Sequence, residues 1–446
     1  MYIDQQLCRS DKCNRECIAV CTLVHGEDTP IAFDEGALYP RIIGECTNCL
    51  SCVRACPFGA ISSTSIEKSK QVKKRDLPSY HGSGTKPYSV SNELKQFPES
   101  DMIFARVLND PDFEFYGKHA FYGGEAMVAR NIPGYGRFEY ERAEAGWQLY
   151  DNRAAVIGPL LVDAQKRPVQ STRIEKNPEI LTNEVKRAAK IYGASLVGIA
   201  AMSPKWIYSM NRNGEPYKIP ERFAHAIVMA IEMDYQGIST SPAFASSTST
   251  AVGYSKMAFA EIELTSFIRR LGYGAIPCGN DIALSVPLAI DAGLGQYGRH
   301  GLLITKEFGP RVRIAKVLTD MPLLSDSPDY GFCHAVMRFC EVCEKCARHC
   351  PSKSIPVGKD QGWAGVTISN NPGIKKWYVN PETCYAFWIE NGSDCSNCIR
   401  SCPYNKRDGL LHGAVLWIVR HFPWLNRLVL KFDDLLGYGN QKTPGR

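Results

Sequence analysis

Cys340-Glu-Val-Cys343-Glu-Lys-Cys346-Ala-Arg-His-Cys350-Pro351 sets four cysteines at spacings of two, two and three residues and closes on proline. A second run, Cys384, Cys395, Cys398 and Cys402-Pro403, repeats the last two spacings after a ten-residue gap. This is the spacing that holds 4Fe–4S clusters, and where two runs share a module the fourth cysteine of each ligates the other cluster. The exchange assigns Cys340, Cys343, Cys346 and Cys402 to one cluster. It assigns Cys384, Cys395, Cys398 and Cys350 to the second. Structural zinc is the competing reading, but zinc takes two closed pairs of ligands rather than a three-plus-one run. Disulfides need an oxidising compartment, and Met1 to Leu7 has neither a basic n-region nor an apolar h-region.

The other end of the chain carries a further pair of runs. Cys8, Cys13, Cys17 and Cys21 are followed by Cys46, Cys49, Cys52 and Cys56-Pro57. The same exchange predicts one cluster on Cys8, Cys13, Cys17 and Cys56, and another on Cys46, Cys49, Cys52 and Cys21. The first of these runs is looser, and Thr22 stands where proline is usual. The segment resembles the N-terminal two-cluster ferredoxin domain of the ABC-E ribosome-recycling ATPases through Asp11-Lys12-Cys13, Gly26-Glu27-Asp28 and Cys56-Pro57-Phe58-Gly59. No G-x4-G-K-[ST] phosphate loop follows, so the ATPase function does not carry over.

A chain of 446 residues exceeds one core and predicts several domains. At 44% hydrophobic and 22% charged it has the composition of a folded globular protein. The net charge of +6 is scattered rather than striped, which does not favour a nucleic-acid partner. No apolar run reaches the roughly 18 residues that span a bilayer, so no transmembrane segment is expected. Eighteen cysteines with no leader point to metal or redox chemistry in the cytoplasm.

Five segments are expected. They are an N-terminal cluster domain over 1–62, a linker over 63–100, an α/β core over 101–335, a C-terminal cluster module over 336–410, and an amphipathic tail over 411–446. The linker's basic run, Lys68 to Arg75, reads as a solvated face or as a docking patch for an acidic donor. Residues 100–160 are dense in aromatics with poor periodicity, which suits either core packing or the lining of a pocket. Helices are predicted over 183–192, capped by Thr182, and over 255–271, ended by Gly272. Strands are predicted over 195–200, 225–231 and 311–318. Gly293-Leu-Gly295-Gln-Tyr-Gly298 satisfies G-x-G-x-x-G, but a helical stretch precedes it and Gly309-Pro310 follows it too soon for a dinucleotide turn. Cys278 and Cys333 lie outside every run and read as buried structural cysteines. The tail reads as packing on the core or lying on a membrane surface.

From about residue 178 onward the chain resembles the corrinoid-dependent reductive dehalogenases. The matching pieces are Gly193 to Ala200, Arg269-x-Leu271-Gly272-Tyr273, Ala292-Gly-Leu-Gly295-x2-Gly298-Arg299, Phe308-Gly-Pro-Arg311-Val-Arg313, Lys345-Cys346-Ala347, Cys384-Tyr385 and Asp434-x2-Gly437-Tyr438-Gly439. Part of this is also similar to epoxyqueuosine reductase. The resemblance implies a nitroreductase-like α/β core that holds cobalamin beside a two-cluster ferredoxin module. It implies base-off cobalamin, in keeping with the absence of D-x-H-x2-G. It places the catalytic tyrosine on Tyr254, its partner asparagine on Asn280 and its basic residue on Arg313. It places cofactor contacts on Gly253, Ser255, Gly293, Leu294, Gly295, Gly298, Arg299, Gly309, Pro310 and Arg311.

The expected activity is reductive cleavage of a carbon–halogen bond by cobalamin and four 4Fe–4S clusters. Electrons would come from a low-potential donor of ferredoxin or flavodoxin type, and the substrate would be a small, halogenated organic molecule. A corrinoid reductase of a non-halogenated substrate and a non-catalytic electron carrier are the alternatives. Exported members of the family carry a twin-arginine signal and lack the N-terminal cluster domain, and both differences favour the cytoplasm. Association into a homodimer is left open.

Overall fold

The computed structural model describes residues 2–3, 8, 17–18, 21–22, 30–34, 37, 39–43, 61–62, 86–158, 173–407 and 409–441. The chain divides into two compact units, 1–81 and 82–446. In the first, Tyr2–Ile3 pairs antiparallel with Ile61–Ser62, and Ile31–Ala32 with Arg41–Ile42. Cys17, Cys21, Ile31 and Ile61 are buried together there. Cys13, Cys46, Cys49, Cys52 and Cys56, and most of the expected linker, lie outside the described residues.

The second unit opens with chain that the sequence reading assigned to the linker. Tyr88, Leu94, Phe97 and Glu99 are buried, so 86–100 is packed structure, and the linker expectation is corrected there. Tyr88 and Trp206 both bond the Asp291 carboxylate, a tertiary tie that local composition does not reveal. The aromatic-rich 100–160 region, irregular by its periodicity, forms short helices: α1 (Ile103–Asn109), α2 (Gly124–Ala129) and α3 (Arg137–Gly146). None is long enough to show a repeat of 3.6 residues clearly.

The core is a four-stranded sheet in the order β1-β2-β4-β3, with β1 Leu196–Ala201, β2 His225–Glu232, β3 Ala275–Cys278 and β4 Val312–Thr319. Every pair is antiparallel, so the alternation of strands and helices along the chain does not come from parallel crossovers. Both faces are covered, which is why β2 is apolar at every interior position. Ala226, Val228 and Ala230 meet the helix α6 (Ser285–Asp291). Ile227, Met229 and Ile231 meet α4 (Pro178–Ile191) and α5 (Phe244–Arg270). Each fully buried Val, Ile or Met side chain among them contributes about 1.5–3 kcal/mol.

Two helix boundaries differ from expectation. α4 starts at Pro178 with Asn177 accepting from the Glu179 N–H, so Asn177 is the cap. Thr182 sits inside the helix and bonds the Pro178 carbonyl. α5 starts eleven residues before the expected Ser255. Its first half is rich in Ser and Thr, whose hydroxyls bond the carbonyl four residues back, as Thr248 does to Phe244 and Ser249 to Ala245. Ser246, Ser247, Ser249 and Thr250 are buried, the first two without a hydroxyl partner, and no amphipathic pattern announces the helix.

The C-terminal cysteine module begins with α7 (Tyr330–Cys343) and includes α8 (Pro381–Asn391). The tail forms α9 (Leu410–His421) and α10 (Asn426–Leu435). Val419 and Leu430 pack with Phe332, Val336 and Phe339, so the tail lies on the cysteine module rather than on the sheet. Lys345 binds Asp433 at 2.5 Å, Asp434 at 2.8 Å and the Tyr438 carbonyl at 2.9 Å. Among the described residues no helix is long and apolar enough to cross a membrane.

Candidate active site

Tyr254, Asn280 and Arg313 come from three elements and meet in one cavity of ≈ 350 Å³. Tyr254 lies in the middle of α5, Asn280 two residues beyond β3, and Arg313 at the start of β4. The Asn280 side-chain amide donates to the Tyr254 hydroxyl at 3.0 Å. The Arg313 guanidinium lies over the Tyr254 ring, 4.6 Å from its centroid, and donates to Thr250 Oγ1 at 3.3 Å. Trp147 stacks on the same ring at 4.9 Å, and Tyr150 leans on it at 4.8 Å. Burial pushes the Tyr150 hydroxyl up, so it stays a phenol.

Four more aromatic rings line it, Phe104 and Phe121 from the 100–160 region and Tyr385 and Trp388 from α8, beside aliphatic Met102, Val107 and Leu108 and charged Glu144, Asp151, Arg212 and Asp394. Of the two uses open to the 100–160 aromatics, both occur. Phe113 and Phe115 are core, whereas Phe104, Phe121 and Trp147 face the cavity. Tyr385 is the residue after Cys384, and Asp394, also in the wall, precedes Cys395. One cysteine set therefore stands directly behind the cavity wall.

The cysteines sort by proximity. Burial pushes the Cys402 thiol up, and Cys340 and Cys343 beside it push the same way. Cys346 is raised by burial and then by Cys340, Cys402 and Cys343. Cys384 is pushed up to about 12 by burial, then by Cys395 and Cys350. Cys398 is pushed to about 12 by burial, then by Cys384 and Cys350. Cys402 thus neighbours the first run and Cys350 the second. Among the described residues no three His, Cys, Asp or Glu side chains gather where a single metal ion could be held. Thiolates on the corners of a cubane stand farther apart than the ligands of one tetrahedral zinc.

The glycine and arginine motifs fall elsewhere. Gly293, Leu294 and Gly295 border a separate cavity of ≈ 340 Å³, with Cys333 at its edge. Gly298 is in contact with His300. Arg299 is buried and donates to the carbonyls of Cys340, Pro356 and Gly358, with Trp377 beneath it. Gly309 has φ +55°, and a Cβ there would lie 2.3 Å from the Tyr404 carbonyl oxygen. Pro310 follows it, and Arg311 binds Glu232, Asn405 Oδ1 and the Met233 carbonyl. Arg299 and Gly309 reach the cysteine module, Arg311 joins it to the sheet, and none of these motif residues lines the Tyr254 cavity. Gly253 packs on Met233 and Arg313, and Ser255 bonds the Gly146 carbonyl at 2.6 Å. Cys278 and Cys333 are buried.

The lining offers a corrinoid aromatic faces, and three of its residues carry buried polar atoms without a partner: Trp147 Nε1, Arg313 Nε and Asp394 Oδ1. Sequence reasoning named Trp147 only among the aromatics of its region, as core or pocket lining, and did not name Tyr150 or Trp388. The signal available for Tyr150 was the aromatic density of that same region.

Comparison with known proteins places the chain. Residues 339–406 match the 4Fe-4S dicluster domain model, and residues 41–62 the 4Fe-4S binding domain model. Tetrachloroethene reductive dehalogenase of Sulfurospirillum multivorans is 32% identical, with 87% of this chain and 88% of that one covered. Tetrachloroethene reductive dehalogenase of Desulfitobacterium hafniense is 37% identical over 326 residues, 64% of this chain and 58% of that one. The chain thus spans less than two thirds of the length of that second relative. A solved reductive dehalogenase, described as suggesting a mechanism for B12-dependent dehalogenation, shares the fold with a TM-score of 0.64. It is 22% identical and covers 80% of this chain and 49% of that one. The chain belongs to the reductive dehalogenase family.

Proposed function

We propose that the protein is a reductive dehalogenase that uses cobalamin and four 4Fe–4S clusters to replace a carbon-bound halogen by hydrogen. The observation that carries this reading is the meeting of Tyr254, Asn280 and Arg313 in a ring-walled cavity backed by Cys384 and Cys395. The sheet with helices on both faces is read as a nitroreductase-like core over 101–335. The cluster module spans 336–410 and the tail 411–446, with an N-terminal cluster domain over 1–62. Base-off cobalamin, when bound in the cavity, supplies the low-potential chemistry at carbon, and the clusters supply its electrons singly.

The residues of the chain then have defined tasks. The net change takes up two electrons and one proton, forms a C–H bond and releases a halide anion. Tyr254 gives the proton from its hydroxyl. Asn280 donates to the oxygen of that hydroxyl, which leaves the Tyr254 hydrogen directed elsewhere and supports the phenolate once it has gone. Arg313, over the ring, favours negative charge delocalised into it. Trp147 and Tyr150 fix the ring and exclude water, which strengthens both effects. Cys350, Cys384, Cys395 and Cys398 would hold the cluster nearer the cavity, since Tyr385 and Asp394 beside them form its wall. Cys340, Cys343, Cys346 and Cys402 would hold the farther one of this module. The physiological donor would be a low-potential ferredoxin or flavodoxin, and the substrate a small halogenated compound.

Protein reconstituted anaerobically with iron, sulfide and cobalamin tests the reading in a reductant-driven assay over halogenated alkenes and arenes. Halide release that depends on Tyr254 supports it. Fully loaded protein that releases no halide from either class overturns it.

A further inference from the structure

Arg299, Arg311 and Arg400 are buried arginines in and around the cysteine module. A guanidinium keeps its charge inside a protein, and a buried charge calls for an opposite one. Arg311 has Glu232. Lys345 likewise pairs with Asp433 and Asp434, and Lys406 with Asp433. Arg299 and Arg400 differ. The donors of Arg299 all end on carbonyls: Cys340 at 2.7 and 3.2 Å, Pro356 at 2.9 Å and Gly358 at 2.7 Å. Arg400 donates to the Ser241 carbonyl, and its Nε–H is buried with no acceptor. Carbonyls satisfy the hydrogen bonds and leave the charge unmatched. Among the described residues no carboxylate pairs with either arginine.

Both charges stand beside cysteines. Burial pushes the Cys340 thiol up to about 11, and the main-chain N–H and the charge of Arg299 act against it. Cys395 is the neighbour that favours the charge of Arg400 against burial. Cys340 and Cys395 belong to different ligand sets, so each set has one unmatched arginine. Asp394 opposes at the second set, where it adds to the burial that pushes the Cys395 thiol up to about 12. It makes no ion pair with Arg400, whose bond to Ser241 lies on another part of the chain.

We propose that Arg299 and Arg400 are the counter-charges of the two 4Fe–4S clusters of this module, one for each, and that they raise the reduction potentials of those clusters. This rests on the ligand sets assigned above, Cys340, Cys343, Cys346 and Cys402 for the first and Cys350, Cys384, Cys395 and Cys398 for the second. Four thiolates leave a cubane with net negative charge, and the one electron taken from the donor adds to it. A fixed positive charge in a poorly solvated site favours the reduced form over the oxidised one, so the potential rises. No bond forms or breaks at either arginine. Both are positioning residues that act through the clusters and touch no substrate.

The test is a redox titration of the full-length reconstituted protein, followed by electron paramagnetic resonance, with iron counted in each sample. The signal missing from C402A belongs to the first cluster, and the signal missing from C350A to the second. R299Q keeps side-chain donors and removes the charge. It is expected to weaken reduction of the first cluster by about tenfold, about 59 mV for one electron, and to leave the second unchanged. R400Q is expected to do the reverse. R299K and R400K keep the charge and are expected to stay near the wild-type potentials. R400Q gives up a single carbonyl bond and carries the test where R299Q fails to hold its iron. An unshifted potential in R400Q, or in R299Q with full iron, overturns the proposal. So does a lysine variant that shifts as far as its glutamine counterpart, which would make the role structural. C350A or C402A protein that loses both signals or neither overturns the ligand sets instead. Halide release is not measured, so failure of the dehalogenase reading leaves this result intact.

Discussion

Asn280 and Tyr254, 26 residues apart, are joined by a 3.0 Å hydrogen bond from the amide to the hydroxyl oxygen. The bond orients a phenol that would otherwise rotate freely about its C–O axis. Replacing Tyr254 by Phe removes the acid and keeps the ring that packs on Trp147. Y254F is expected to lower kcat by about 10²–10⁴-fold with little effect on KM, cluster content or corrinoid content. N280L, which keeps the acid but loses its orienting donor, is expected to cost about 10–100-fold. Steady-state kinetics alongside metal analysis checks both.

The exchange of fourth ligands predicts a crossed pattern of damage. C350A is expected to destabilise the cluster held by Cys384, Cys395 and Cys398, although Cys350 belongs to the other run in sequence. C402A is expected to damage the cluster of Cys340, Cys343 and Cys346, beside which it lies. Each variant should lose one cluster's iron. Because Tyr385 and Asp394 join the first of these sites to the cavity, C350A should abolish activity even where the other cluster survives. Iron counting and electron paramagnetic resonance of the reduced variants distinguish the two.

Gly309 tests the seam between sheet and cysteine module. Its φ of +55° disfavours any other residue, and a Cβ would press on the Tyr404 carbonyl two residues from Cys402. G309A is expected to lower stability by roughly 2–4 kcal/mol and to release the Cys402 cluster first. Denaturant unfolding, followed by iron absorbance and by circular dichroism, reads both effects.

His300 gives a pH dependence. It is buried, accepts the Leu302 N–H at Nδ1, and is pushed down to about 4 by burial. The folded value lies below the unfolded one, so the unfolded chain takes up the proton first as pH falls. Stability is therefore complete above about 6.5 and is lost between about 6.5 and about 4, by roughly 3 kcal/mol in all. Unfolding free energies across that range should fall in wild type and stay flatter in H300F.

Much of this was legible before any coordinates, for identifiable reasons. Cluster ligation fixes cysteine spacing along the chain, so the C-terminal runs announced themselves, and the apolar strands 225–231 and 311–318 appeared within a residue of β2 and β4. The extent of α5 was not legible, because Ser246, Ser247, Ser249 and Thr250 are buried polar residues with no amphipathic period. The Gly293 to Arg299 and Gly309 to Arg311 motifs do not line the Tyr254 cavity, and among them Arg299, Gly309 and Arg311 make contacts with the cysteine module. Backbone approach to a ligand and to another part of the chain demand the same glycines. Trp147 and Tyr150 owe their meaning to tertiary neighbours, which no local pattern records.

The most direct measurement is halide release by the anaerobically purified protein after reconstitution with cobalamin, with iron and corrinoid counted in the same sample. The account predicts four clusters' worth of iron, one corrinoid per chain, and halide release that Y254F abolishes. Full cluster and corrinoid loading with no halide released, or equal release by Y254F, would contradict it.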